Sequence, residues 1–218
     1  MAESFGLTSE SYAYENLKSG DFPIITKEIT LISGQDLDKG TLIGKITKVV
    51  GGAVAGTNTG NGVFSAVTGG HKTKIGTYTL TCVEASADAG RFKVIDPDGY
   101  RIDDATVAVA YSNDHLGFTI ADGSTDFIAG DSFTIAVTAG SGKYTLALAA
   151  SVDGSELWEN MCILADDIDA SSGDIVCTGW FSGQFNENKV TFGTGITYAS
   201  SVDELCKYNI FLEAATQA

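Results

Sequence analysis

Basic residues are scarce in this sequence. Against 28 Asp and Glu there are 13 Lys and Arg, leaving a net charge of −15 and a pI near 4.3. A nucleic-acid surface needs a lysine or arginine footprint, so that partner is excluded. No apolar run approaches the roughly 18 residues that span a bilayer, which excludes a membrane helix. The first 20 residues carry Glu3, Glu10 and Glu15 where a secretory leader needs a basic and then an apolar run, so the chain reads as made and folded in a cytoplasm. Its four cysteines (Cys82, Cys162, Cys177 and Cys206) form no C-x-x-C pair, and a reducing compartment favours buried free thiols over bridges or metal ligation. Two histidines, His71 and His115, do not make a metal centre by themselves.

What remains is a globular balance, 44% hydrophobic and 19% charged, with enough apolar material for a real core. A length of 218 residues corresponds to one large domain or two small ones. Glycine is frequent (26), proline rare (2), and Thr, Val, Ala, Asp and Ser abundant, the texture of short strands and tight turns. The fold class expected is mainly β. In Thr77-Tyr78-Thr79-Leu80-Thr81-Cys82-Val83 the even positions share one strand face and place the Cys82 thiol beside Tyr78 and Leu80.

The chain divides by texture. Residues 1–25 lack a sustained period and scatter aromatics among small polar residues. They read as an arm whose apolar tips, Phe5, Leu7, Tyr12, Tyr14, Phe22 and Ile24, suit strand addition to another protein's sheet edge, or alternatively as a frayed terminus. From Ile29 a strand, a polar turn at Ser33 to Lys39 and a second strand carry Ile and Leu at nearly every position, which predicts burial on more than one side. Glycines 51, 52, 56, 60 and 62 predict a flexible junction. Strands are then expected at Gly76 to Ala85, Arg91 to Ile95, Thr106 to Tyr111, Gly117 to Ala121 and Ser132 to Val137, a spacing that a small β-sandwich or barrel produces. A second junction, Ala139-Gly140-Ser141-Gly142, closes that run. Residues 51–142 therefore read as a β-rich insertion in a discontinuous host made from residues 26–50 and 143–218. Near the end, Ser201 as N-cap with Glu204 three residues on predicts a short helix, with a left-handed exit at Asn209 into a strand at Ile210 to Leu212.

Chemical signals are few. Gly140-Ser141-Gly142-Lys143 lacks the flanking residues of a phosphate loop. Asp96-Pro97-Asp98-Gly99 with Asp103-Asp104, and Asp122-Gly123 with Asp126 and Asp131, are oxygen-rich but break the EF-hand pattern, and read as turns ahead of ion sites. No G-x-S-x-G occurs, and the cysteines fall inside or beside apolar stretches that disfavour a thiolate. No catalytic residue, metal ligand or cofactor is assigned, and a non-enzymatic role is expected.

The host segments nevertheless carry a recognisable order: Ser33-Gly34-Gln35-Asp36-Leu37-Asp38-Lys39-Gly40-Thr41-Leu42-Ile43-Gly44-Lys45-Ile46, then Asp153-Gly154-Ser155 leading to Cys162-Ile163-Leu164-Ala165-Asp166-Asp167, then Gly179-Trp180-Phe181-Ser182-Gly183-Gln184-Phe185-Asn186, then a short helix before a last strand. This order resembles the lambda-type head decoration (capsid cement) proteins of tailed bacteriophages. The resemblance implies a small β-rich decoration domain with one short C-terminal helix. It implies a homotrimer on the outer surface of the virion at three-fold positions, bound to the major capsid protein and stabilising the expanded shell. It also implies that the N-terminal arm orders on the capsid. The insertion, a sandwich-like domain in this reading, is a departure from the family pattern. A second reading is a carbohydrate or cell-surface binding module, with Tyr100, Tyr111 and His115 of the insertion as candidates.

Overall fold

The structure is a computed structural model that describes residues 16–149, 153–155 and 160–214. In chain order its strands are β1 Thr26–Leu31, β2 Asp36–Leu37, β3 Leu42–Lys45, β4 Lys48–Ala55, β5 Thr68–Gly69, β6 Gly76–Glu84, β7 Arg91–Ile95, β8 Arg101–Thr106, β9 Ala110–Ser112, β10 Leu116–Thr119, β11 Ser132–Ala139, β12 Tyr144–Leu146, β13 Met161–Leu164, β14 Ile168–Asp169, β15 Ile175–Trp180 and β16 Gly183–Asn186. Helix α1 Tyr198–Cys206 and β17 Ile210–Glu213 follow. The protein is mainly β with a single α-helix among the described residues.

Five strands from the two ends of the chain close a barrel in the order β1-β12-β3-β13-β15. Every one of them contributes to one buried cluster: Ile29 and Leu31, Tyr144, Ile43, Cys162 and Leu164, and Cys177. That shared set is the barrel interior. The alternate residues Leu42, Met161, Ile163 and Trp180 belong to a second cluster with Leu17, Phe185, Leu205, Ile210 and Leu212, so α1 and the parallel pair β16-β17 cover the barrel from outside. This two-sided burial is why β3 and β13 read as unbroken apolar runs. Fully burying a Leu or Ile contributes about 1.5–3 kcal/mol, and Leu31, Leu42, Ile43, Ile163 and Leu164 are all at 0% exposure.

Residues between β3 and β12 form a separate cluster. A five-stranded sheet, β4-β11-β6-β7-β8, faces a three-stranded one, β5-β10-β9. Between them lie Tyr78, Leu80, Cys82, Phe92, Val94, Phe118, Phe133 and Ile135. The parity expected for Cys82 holds, with Tyr78, Leu80 and Cys82 all buried. Strand β7 spans the expected residues, whereas the strand expected at Thr106 to Tyr111 falls on the turn between β8 and β9.

Both glycine-rich junctions carry main-chain pairing. Strand β4 runs through Gly51 and Gly52, and both oppose Ala136 alone, because Val50 pairs with Val137 and Ala53 with Ile135. This is a β-bulge, and a Cβ on Gly51 would lie 2.9 Å from the Ala136 carbonyl oxygen. At the other junction the N–H groups of Gly140 and Gly142 donate to the carbonyls of Thr47 and Ile46. The pairing Ala139 with Lys48 therefore continues through these bonds to Tyr144 with Lys45. A two-stranded ribbon thus leads from the barrel into the insert, and the insert's first strand begins at Lys48, not after residue 50.

Helix α1 starts earlier than the sequence pattern indicates. Thr197 is the N-cap, and it forms a reciprocal capping box with Ser200. Ser201 is wholly buried and donates its hydroxyl to the carbonyls of Thr197 and Tyr198, so it cannot cap. The expected left-handed exit is present, with φ of 62° at Asn209.

Candidate functional site

A cleft of about 810 Å³ lies at the side of the barrel, lined among others by Ile25, Lys27, Glu28, Lys45, Tyr144, Met161 and Phe181. It arises from the barrel's own pairing. Strand β1 pairs with β15 along its whole length, Thr26 with Trp180 through Leu31 with Ile175, but touches β12 only at Leu31 opposite Tyr144. Phe181 N–H donates to the Ile25 carbonyl at 2.8 Å. Antiparallel pairs alternate, so Ile25, Lys27 and Ile29 turn their backbone groups toward β15 while Thr26, Glu28 and Thr30 turn theirs toward the cleft. Ile32 N–H donates to the Tyr144 carbonyl at 2.9 Å and ends the free stretch. The cleft wall is thus an unpaired strand edge.

Its lining is mixed in charge, with Glu28 beside Lys27 and Lys45. Lys27 lies over the Phe181 ring, 4.8 Å from its centroid. Neither Lys27 nor Lys45 has a carboxylate partner among the described residues, whereas Lys72, Lys74, Arg91, Arg101, Lys143 and Lys207 are all ion-paired. Nearby, Trp180 is approached by Lys18 Nζ at 5.0 Å and Lys39 Nζ at 5.5 Å. The Tyr144 hydroxyl in the wall has its pKa pushed up to about 12, by burial and then by the neighbouring Cys162. The arrangement offers main-chain hydrogen bonds, apolar and aromatic walls, two lysines and one carboxylate, Glu28.

Of the arm residues, Phe5, Leu7, Tyr12 and Tyr14 lie outside the described residues. Phe22 and Ile24 are half-buried against their own chain, which corrects the arm boundary at 25. Phe22 packs edge-on to Phe211 with centroids 4.8 Å apart, and its N–H donates to Gln184 Oε1. Leu17 is buried in the layer outside the barrel and Lys18 bridges to Phe185. Ser182 fastens the segment further, accepting from Ile25 N–H and donating to the Pro23 carbonyl. Described residues 16–25 therefore belong to the body. The physical reason is that Leu17, Phe22 and Ile24 cover the otherwise open faces of β16 and β17.

The acidic loops of the insert are organised by bonds within the protein. Asp96 accepts from the N–H groups of Asp98 and Tyr100 and from Lys74 Nζ at 2.6 Å, and the lysine above all holds its carboxyl below the ordinary range. Asp104 is held by Arg91 and Arg101. Asp131, 3% exposed, accepts from Thr59 and Gly60 at 2.9 Å and Ile128 at 3.1 Å. Burial raises its pKa, but the three backbone bonds together outweigh burial and leave it lowered. Asp88, Asp122 and Asp126 are exposed, with carboxylate oxygens within 4.8 Å of one another. Asp122, first by hydrogen bond and then by charge, raises the Asp88 pKa, as Asp126 does more weakly.

The candidates of the second reading do not converge. Tyr111 is buried and stacked on Phe118 at 4.6 Å, while Tyr100 is 69% exposed at a hairpin end. His115 meets the Tyr78 hydroxyl through Nδ1 at 3.2 Å. Its pKa is lowered, by burial first and then by Lys74. Cys82, Cys162 and Cys177 are buried, but Cys206 is exposed at the end of α1, contrary to its apolar sequence neighbourhood. The barrel cleft has no sequence signature. Its walls come from four strands, β1, β3, β12 and β13, and the loops beside them, so no stretch of sequence carries it.

No family model and no curated protein matches the chain. Two solved structures align in part, crystal structures of Xanthomonas campestris FlgL in space groups H3 and C2, at 17% and 20% identity and TM-scores of 0.31 and 0.32. They cover 47% and 49% of this chain, which spans only 33% and 32% of theirs.

Proposed function

We propose that this protein is a non-enzymatic capsid decoration protein, which binds the outside of a phage head at three-fold positions as a homotrimer, contacts the major capsid protein and reinforces the expanded shell. It would be made in the bacterial host cytoplasm and end on the virion surface. The observation that carries the reading is the host body: the motif-bearing pieces on either side of the insert share one barrel and one outer layer, with the short helix and last strand in the expected order. Excess negative charge suits an exposed shell layer by keeping free protein soluble and particles apart. Three copies about one axis would multiply a modest affinity per copy. Phe5, Leu7, Tyr12 and Tyr14 remain the proposed shell contacts, whereas Phe22 and Ile24 support the body that presents them. Purified protein mixed with undecorated, expanded capsids is expected to bind saturably, with density at the three-fold positions in electron micrographs; absence of binding overturns the reading.

The second reading, a surface-glycan module in the insert, draws on Tyr100 alone, the one candidate that is both aromatic and exposed. Glycan-array binding abolished by Tyr100→Ala would favour it, and a silent array would discard it.

A further inference from the structure

We infer that Tyr78 and His115 form a proton-operated clasp on the loop between β5 and β6, closed while the His115 ring is neutral and released when the ring takes up a proton. This does not rest on either functional reading.

The clasp begins with a hydroxyl that has few options. Tyr78, on β6, is wholly buried, and its oxygen accepts the Lys74 N–H at 2.9 Å. A phenol has one proton to give, and a buried phenol needs an acceptor for it. Among the described residues the acceptor in reach is His115 Nδ1, at 3.2 Å. Nδ1 therefore carries no proton, and the neutral ring holds its own on Nε2. A second proton has to enter at Nδ1, where it sets N–H against O–H. Stranding a buried donor shifts an equilibrium by on the order of tenfold, so the charged ring favours an open contact.

The charges around the ring set the direction of the switch. Lys72 and Lys74 face it from the loop and Asp96 from the turn after β7, while Asp103 of β8 shares its surface pocket. Asp114, on the ring's own hairpin, also meets Lys72 at 2.8 Å and His71 at 3.8 Å. Lys74 is held in turn by Asp96 and Asp98, each at 2.6 Å. Burial first and then Lys74, with Lys72 behind them, outweigh Asp96 and Asp114 and keep the ring's pKa below its ordinary 6.5. The neutral ring is thus the folded form, and its contribution is whole above 6.5 and lost as pH falls from there through the folded value.

What the clasp holds is residues 70–75. Lys72 N–H donates to the Asp114 carbonyl at 2.9 Å, and Gly70 N–H and the Thr73 hydroxyl both donate to the His115 carbonyl. The Gly70 carbonyl accepts Lys48 Nζ at 2.7 Å, and buried Lys48 is the first residue of β4, where the ribbon from the barrel enters the insert. The loop is therefore fastened to the β9–β10 hairpin, to β6 and to the root of the ribbon. Its attachment to β6 passes through the ring that titrates, so acid frees Lys74 from Tyr78 and leaves the other two in place.

The test reads the ring and the loop separately in the full chain. Imidazole nitrogen shifts should show neutral His115 as the Nε2–H tautomer. As the pH is lowered, the Lys74 amide should lose about tenfold in protection from hydrogen exchange, along the same curve on which the His115 ring titrates. His115→Gln keeps a neutral acceptor for the phenol and removes the proton site, so protection should persist across that range. Tyr78→Phe removes the clasp itself, leaving the Lys74 amide unprotected throughout and moving the His115 titration up toward 6.5. A neutral ring protonated on Nδ1 overturns the proposal. So does Lys74 protection that stays constant while the ring titrates. Protection that falls equally in the His115→Gln protein also overturns it, by assigning the loss to the carboxylates of Asp96, Asp98 or Asp114. Should Tyr78→Phe fail to fold, the tautomer and the His115→Gln comparison decide.

Discussion

Replacing Asp131 by alanine probes the latch that ties the loop after β4 to the start of β11. The carboxylate is 3% exposed and accepts three backbone N–H groups, from Thr59, Gly60 and Ile128. Hydrogen bonds to a charged acceptor are worth about 1.5–3 kcal/mol each, but they share one anion, and burying that anion has its own cost. Water can reach the exposed Thr59 once the side chain is gone, whereas Gly60 stays buried. The expected loss is about 3 kcal/mol, or roughly 6–12 °C in Tm for a chain of this size. Asp131→Asn keeps one acceptor oxygen and should lose about 1–2 kcal/mol. Urea unfolding followed by far-UV circular dichroism reads both, provided the m-value is unchanged. The pH dependence supplies a second readout. Because the folded-state pKa of Asp131 is depressed, its contribution is complete above the ordinary carboxylate value of 3.8 and is lost as pH falls through the lower folded value. The Asp131→Ala protein should therefore lose stability less steeply below pH 3.8 than the parent. An Asp131→Ala protein within about 0.5 kcal/mol of the parent, the range of an ordinary surface change, would refute the latch.

Thr197→Ala should destabilise by about 1 kcal/mol through loss of the N-cap, measurable by thermal melting, and an unchanged Tm would return the cap to another residue. Of the four thiols, Cys206 alone should react rapidly with a disulfide reagent in native buffer, and all four in denaturant, because burial disfavours the thiolates of Cys82, Cys162 and Cys177. Asp88→Asn should raise Tm at pH 7. The Asp88 pKa is raised by Asp122 and Asp126, so the trio weakens the fold as pH rises through that value, and the gain should vanish in acid. Asp96, Asp104 and Asp174 are depressed by their lysine or arginine partners, so the parent should lose stability as pH falls through their folded values, below 3.8.

Much of the strand content was legible in advance, and where it failed the reasons are specific. Strand β6 announced itself because one face is solvated, so Tyr78, Leu80 and Cys82 alternate with threonines. Strand β8 was missed because its edge position exposes Arg101 and Asp103, and a strand with charged alternate residues lacks the apolar signal. Gly51 and Gly52 looked like a hinge, since composition cannot distinguish a flexible joint from a bulge that needs close backbone approach. Ser201 with Glu204 matched a capping box as well as Thr197 with Ser200 does, and the choice fell to burial of the Ser201 hydroxyl, which no local pattern encodes.

Local chemistry, carried by the chain itself, determined the β-rich class, the excess of negative charge, the parity of the insert's strands and the turns at Asp-Pro-Asp-Gly and Asn209. Tertiary structure alone decided that β1 and β12 meet at one residue and then diverge, which opens the cleft. It also decided that residues 16–25 fold back onto β16 and β17. Both depend on which distant strands become neighbours, and neighbours brought together over more than a hundred residues leave no period in the sequence between them.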